Sequence, residues 1–153
     1  MPYIKNHAGY DLESNGFRVE PNTALIQLLD IGIPYIPKTD YSVFADVSQF
    51  YFLDLDEGDD GFNEYGITKP QAGLLVRTLE SHLEKGYNII VHCTAGINRS
   101  GAVTEFGIRH LGFDDTGVHR GANQTVLKYL EEVSGSRKDQ DYYNSLVINN
   151  ENV

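Results

Sequence analysis

Hydrophobic and polar positions change their period several times along the chain, and each change marks an element. Ala24 to Leu29 (Ala-Leu-Ile-Gln-Leu-Leu) is spaced like the apolar face of a helix, with Asn22 or Thr23 placed to cap it. Ile31 to Ile36 and Ser42 to Leu55 read as extended, and Phe50-Tyr51-Phe52-Leu53 within them is rich in β-formers and reads as a buried strand. Thr68 is a helix cap with Pro70 in the first turn; the helix runs through Gln71 to Leu79 and on to about Lys85, where Gly86 ends it. Tyr87-Asn88-Ile89-Ile90-Val91 is a short apolar run of the kind that forms an interior parallel strand. It leads through His92 and Cys93 into a loop and a helix from about Arg99 to Leu111, and a further helix is expected from Asn123 to Val133. The tail, about 134–153, is polar, with Leu146-Val147-Ile148 as a run able to dock. The first 45 residues offer little else to read.

Strand, tight loop and helix in alternation predict an α/β fold: a central, mostly parallel sheet of about four or five strands flanked by helices. Residues 1–153 contain no internal repeat and no low-complexity linker, so a single domain is expected. Ligands in such domains bind at the carboxyl ends of strands, which is where Cys93 falls.

Composition narrows the chemistry. The net charge of −10 works against attraction to nucleic acid or anionic lipid, although it allows a small basic pocket inside an acidic molecule. No run approaches the length of a membrane span, and the residues after Met1 lack the apolar stretch of a secretory signal, so a cytoplasmic, monomeric protein is expected. On that expectation the two glycosylation sequons, at Asn98 and Asn123, are coincidences. Cys93 is the only cysteine, which excludes an intramolecular disulfide and a cysteine-rich zinc site. A lone cysteine is ordinarily a small buried hydrophobe, and only its neighbours argue otherwise.

Those neighbours are Val91-His92-Cys93-Thr94-Ala95-Gly96-Ile97-Asn98-Arg99-Ser100-Gly101. Cys93 leaves a strand, five residues turn, and Arg99 opens a helix. The backbone N–H groups of Thr94, Ala95, Gly96, Ile97 and Asn98 can converge on one anion, helped by the positive end of the helix dipole. Gly96 gives freedom where the turn is tightest. Arg99 adds a planar fork that matches two phosphoryl oxygens. The same field favours thiolate over thiol at Cys93, making it a nucleophile able to form a cysteinyl-phosphate. Ser100 can hydrogen-bond the sulfur, and His92 is placed to order the loop rather than to act as a base.

This stretch resembles the signature loop of the protein tyrosine and dual-specificity phosphatases: His-Cys, five residues, Arg, then Ser or Thr. The resemblance extends from about Tyr51 to Leu130. It implies hydrolysis of phosphotyrosine, and also of phosphoserine or phosphothreonine where the pocket is shallow, on a phosphorylated protein or peptide with no metal or organic cofactor. It also implies a general acid, an Asp on a loop roughly thirty residues before the cysteine. Asp59 and Asp60 lie nearest that spacing, Asp56 fits relatives with a longer loop, and Asp54 reads as the end of the preceding strand. A calcium loop over the same acids fails, because its twelfth position would be Tyr65. Many relatives open a later helix with Pro-Asn, the Asn steadying the loop; here Ala122-Asn123 departs from that pair, and Asn123 reads equally as a helix cap.

Three other readings remain. The loop is also similar to that of capping-type RNA triphosphatases, which carry His where this chain has Ala95, and the acidic net charge disfavours a polyanionic substrate. Phosphoinositide phosphatases tend to place Lys within the loop, and Thr94 to Asn98 contains none. A phosphopeptide-binding domain without activity would lack the nucleophile, which is present.

Overall fold

Five parallel strands form one sheet in the computed structural model, which describes residues 1–8, 18–33, 40–94, 98–117 and 121–135. The strands are β1 (Tyr3–Ala8), β2 (Thr23–Leu29), β3 (Asp46–Tyr51), β4 (Asn88–Cys93) and β5 (Asp114–Asp115), in the spatial order β3-β2-β4-β1-β5. Among the described residues four α-helices accompany them: α1 (Phe62–Tyr65), α2 (Lys69–Glu84), α3 (Asn98–Phe106) and α4 (Gln124–Ser134). The fold is therefore α/β, as the alternation of patterns predicts.

The strand β4 lies at the middle, paired with β2 on one side and β1 on the other. Ile89, Ile90 and Val91 are all buried because both faces of this strand are covered, which is why the run shows no alternation. One face carries Ile4, Ile26, Leu28, Val91 and Cys93 in a core shared with Leu75, Leu79 and Phe106 of the helices. The other face is smaller, built from Leu25, Phe44 and Ile90 with Val19, Tyr41 and Val47 against them.

The same effect overturns one expectation. Thr23–Leu29 is strand β2 and not a helix: all seven residues are buried between β3 and β4, so no polar face remains to show a period of two. Asn22 and Thr23 cap no helix. Asn22 sits in the preceding turn at φ 60, its carbonyl accepting from Asn88 N at 2.9 Å, and Thr23 opens the strand. The segment after β2 is a turn through residues 31–33 rather than extended chain, and 34–36 lie outside the described residues. Of Ser42 to Leu55 only Asp46–Tyr51 is strand; it follows a 3-10 turn, Tyr41–Val43, capped by Asp40. Phe52 and Leu53 lie beyond the strand end, though Phe52 is fully buried and its N–H reaches Leu29 O at 3.1 Å. Strand β1 was not foreseen at all.

Helix α2 follows its sequence closely. Thr68 and Gln71 form a reciprocal capping box, Pro70 occupies the first turn, and Gly86 at φ 75 ends the helix. Its buried face is Ala72, Leu75, Val76, Leu79 and His82, and burying each of the two leucines contributes about 2 kcal/mol. The Gln71 amide also donates to Tyr51 O at 2.8 Å, fastening the start of α2 to the end of β3. Helix α3 is α-helical only to Phe106, and its expected last turn, Gly107–Leu111, widens to π geometry. A Cβ at Gly107 would lie 2.9 Å from Ile4 Cδ1, so glycine allows that turn to sit directly on β1. The Leu146 to Ile148 run lies outside the described residues. Among the described residues no helix is long and apolar enough to cross a membrane.

Candidate active site

Cys93 ends β4, level with Ala8 of β1 and Leu28 of β2, and only 1 % of its surface is exposed. Its Sγ lies 3.3 Å from Ser100 Oγ, one turn into α3. Thr94 follows, half-buried; Ala95, Gly96 and Ile97, expected to present backbone donors, lie outside the described residues. Asn98 then begins α3 on the surface, and Arg99 beside it is buried.

The guanidinium of Arg99 is held from one side. Its Nη1 donates to Phe52 O at 2.5 Å and to Asp30 Oδ1 at 2.9 Å, so the ends of β2 and β3 both grip the same nitrogen. Nε is buried and has no hydrogen-bond partner among the described residues. A buried donor left so costs about 1–3 kcal/mol unless a ligand takes it. Asp30 is a residue that sequence reading missed, because only the sheet brings it to Arg99.

His92 points to the opposite face of β4 from Cys93. Burial lowers its pKa to about 4; the Cys93 backbone works against that shift, while the charges of His7 and Arg99 add to it. It is therefore neutral at pH 7 and stands outside the space into which Cys93 points. Its Nε2 lies 2.8 Å from the Gln27 amide nitrogen.

Asn123 does two things at once. Its Oδ1 accepts from Val126 N at 2.9 Å, capping α4, while its Nδ2 donates to Asp54 Oδ1 at 2.7 Å and Leu55 O at 3.2 Å. Its backbone N–H reaches Asn98 O at 2.9 Å. The cap thereby joins three elements: the acidic loop after β3, the start of α3 and α4.

The acidic loop lies against the start of α4. Asp56 Oδ1 accepts from Thr125 N at 3.1 Å, where the helix N-terminus favours a negative charge. Asp59 Oδ2 turns back to accept from Asp56 N at 2.8 Å, and Asp60 is exposed. Glu57 is held by Lys128 at 2.7 Å and Tyr129 at 3.0 Å, and these bonds put its pKa below the usual carboxylate range. Asp54 is not the strand end that its position implied, since β3 stops at Tyr51. It is instead the acid that meets the cysteine-to-arginine segment, its Oδ2 lying 3.4 Å from Asn98 Nδ2. Among the described residues no group of three His, Cys, Asp or Glu side chains is placed to hold a metal ion.

No protein-family model matches the chain, and no curated protein does. Among solved structures it is similar to one described as "Crystal structure of Tk-PTP in the active form", with 14 % identity over 95 % of this chain and 92 % of that one and a TM-score of 0.49.

Proposed function

We propose that the chain hydrolyses phosphomonoesters on tyrosine-phosphorylated proteins, and also on phosphoserine or phosphothreonine, through a cysteinyl-phosphate on Cys93. The observation that carries this reading is Arg99. Among the described residues a buried guanidinium is pinned through one nitrogen and leaves Nε, on its other edge, without a partner, six residues after a buried cysteine at a strand end. That edge is the one a phosphoryl group takes in a bidentate grip.

In the first step the Cys93 thiolate attacks phosphorus, the S–P bond forms, and the P–O bond to the tyrosine oxygen breaks. A carboxyl group of the 54–60 loop protonates the leaving oxygen; Asp59, Asp60 and Asp56 remain its candidates, and Asp54 joins them through its contact with Asn98. In the second step water attacks phosphorus, the same carboxylate takes its proton, and the S–P bond breaks. Ser100, 3.3 Å from the sulfur, donates to the departing thiolate. The main-chain N–H groups of Thr94 to Asn98 and the fork of Arg99 hold the phosphoryl oxygens throughout.

Turnover of an aryl phosphate by the wild type and by Cys93→Ser, with and without chelator, tests this. Activity that survives chelator and vanishes in Cys93→Ser is expected. Activity retained in Cys93→Ser would overturn the reading. The Asp→Asn variants at 54, 56, 59 and 60 then separate the acids: the true one loses the alkaline limb of the pH profile.

A further inference from the structure

The sheet face opposite Cys93 carries a polar row where a covered face ordinarily carries aliphatic side chains. At one level of register stand His7 of β1, His92 of β4, Gln27 of β2 and Gln49 of β3. Gln27 and His92 are both 0 % exposed. The next row toward the strand starts, Ile90, Leu25 and Val47, is the apolar core of that face.

The row has a direction. Tyr51 Oη donates to Gln49 Oε1 at 3.4 Å, and Gln49 Nε2 donates to Gln27 Oε1 at 2.9 Å. With its oxygen engaged, Gln27 turns its amide nitrogen toward both Tyr41 Oη and His92 Nε2, the latter at 2.8 Å. An amide NH2 only donates, so His92 Nε2 accepts, and the single ring proton sits on Nδ1. Burial opposes a charged ring, as do His7 and Arg99, while the Cys93 backbone favours it. A neutral ring leaves the choice of tautomer to be set by a neighbour.

We infer that Gln27 is a positioning residue for Cys93: by donating to Nε2 it fixes the tautomer of His92, the buried residue from which the chain passes directly to the nucleophile. The inference rests on Cys93 being the nucleophile. The logic is that of a second layer orienting a functional group. An apolar side chain at 27 would remove this donor from Nε2 and open both tautomers. The end of β4 at Cys93 would then lose a fixed neighbour.

The nitrogen chemical shifts of His92 in the full chain, labelled with 15N-histidine and assigned against His92→Asn, read the tautomer at neutral pH. An unprotonated Nε2 with a protonated Nδ1 is expected; the reverse would overturn the proposal before any variant of Gln27 is made. Gln27→Glu offers an acceptor instead of a donor, so the proton should move to Nε2, a change that loosened packing alone does not produce. In Gln27→Met the aryl phosphatase kcat should fall roughly ten-fold with little change in KM. Alkylation of Cys93, the sole cysteine, should change in rate at fixed pH in the same variant. A folded Gln27→Met with wild-type kcat and a wild-type alkylation profile would overturn it. Should the wild type hydrolyse no aryl phosphate, the proposed activity fails, while nitrogen shifts and alkylation still decide whether Gln27 governs His92 and Cys93.

Discussion

Arg99 depends on a carboxylate that its own loop does not supply. Arg99 is 2 % exposed and Asp30 is its countercharge. Removing one partner of a buried pair strands the other, so Asp30→Ala should cost about 3 kcal/mol in unfolding free energy. It should also lower kcat/KM on an aryl phosphate by roughly 100-fold, because the fork is free to turn. Inorganic phosphate should raise the Tm of this variant, an anion in the fork replacing the lost charge. Thermal unfolding with and without phosphate measures this, and an indifferent Tm would mean that Arg99 finds another partner. At this scale Cys93, Arg99 and Ser100 were legible because one strand-to-helix turn spaces them. Asp30 and Gln27 were not, because their neighbours are set by strand register and not by proximity in sequence. The general acid stayed open for the opposite reason: the 54–60 loop holds too many carboxylates for spacing to choose among them.

Elements with local signals were readable and those without were not. Helix α2 announces itself by Thr68, Gln71, Pro70 and Gly86, and α4 by Asn123. Strand β2 was misread because complete burial removes the alternation that distinguishes a strand. Strand β1 was hidden because Lys5, Asn6 and His7 look like surface chain, yet Asn6 is 2 % exposed once β4 pairs beside it. The short α1 shows how one element fixes another. Tyr65 O holds Leu53 N at 2.7 Å across the base of the acidic loop, and Phe62 packs edge-on to Tyr129. A Cβ at Gly66 would lie 2.3 Å from Phe62 Cδ1 and 2.9 Å from Phe62 O. Gly66→Ala should therefore lower stability by about 2 kcal/mol, read as a reduced urea midpoint. On the proposed mechanism it should also reduce turnover, because α1 anchors the loop proposed to supply the acid. Full activity at a lower midpoint would separate the loop from its anchor.

Across the whole molecule, two buried histidines set the response to acid. Burial lowers the pKa of His92 to about 4 and lowers that of His82 as well, with Asp46 partly opposing the latter shift and Lys85 adding to it. The unfolded chain takes up these protons first, near pH 6.5. Stability is then complete above that pH and is lost as pH falls toward 4, His92 alone accounting for about 3 kcal/mol over the interval. The net charge of −10 cannot cause such a loss, since acidification eases its self-repulsion. Urea midpoints at pH 7 and pH 5 check this, the lower one being expected at pH 5; equal midpoints would place both rings in contact with water.

The sheet order also governs how the molecule comes into being. β1 and β2 are made early, yet neither touches the other; β4 stands between them and is made much later. A nascent chain that has not reached Cys93 holds two strands without their common neighbour, one of them a largely apolar strand that is wholly buried in the finished sheet and prone to self-association. Such long-range pairing makes for slow folding. The strand that ends in Cys93 is thus also the clasp of the sheet, and its sulfur reaches its buried place when β4 joins β1 and β2.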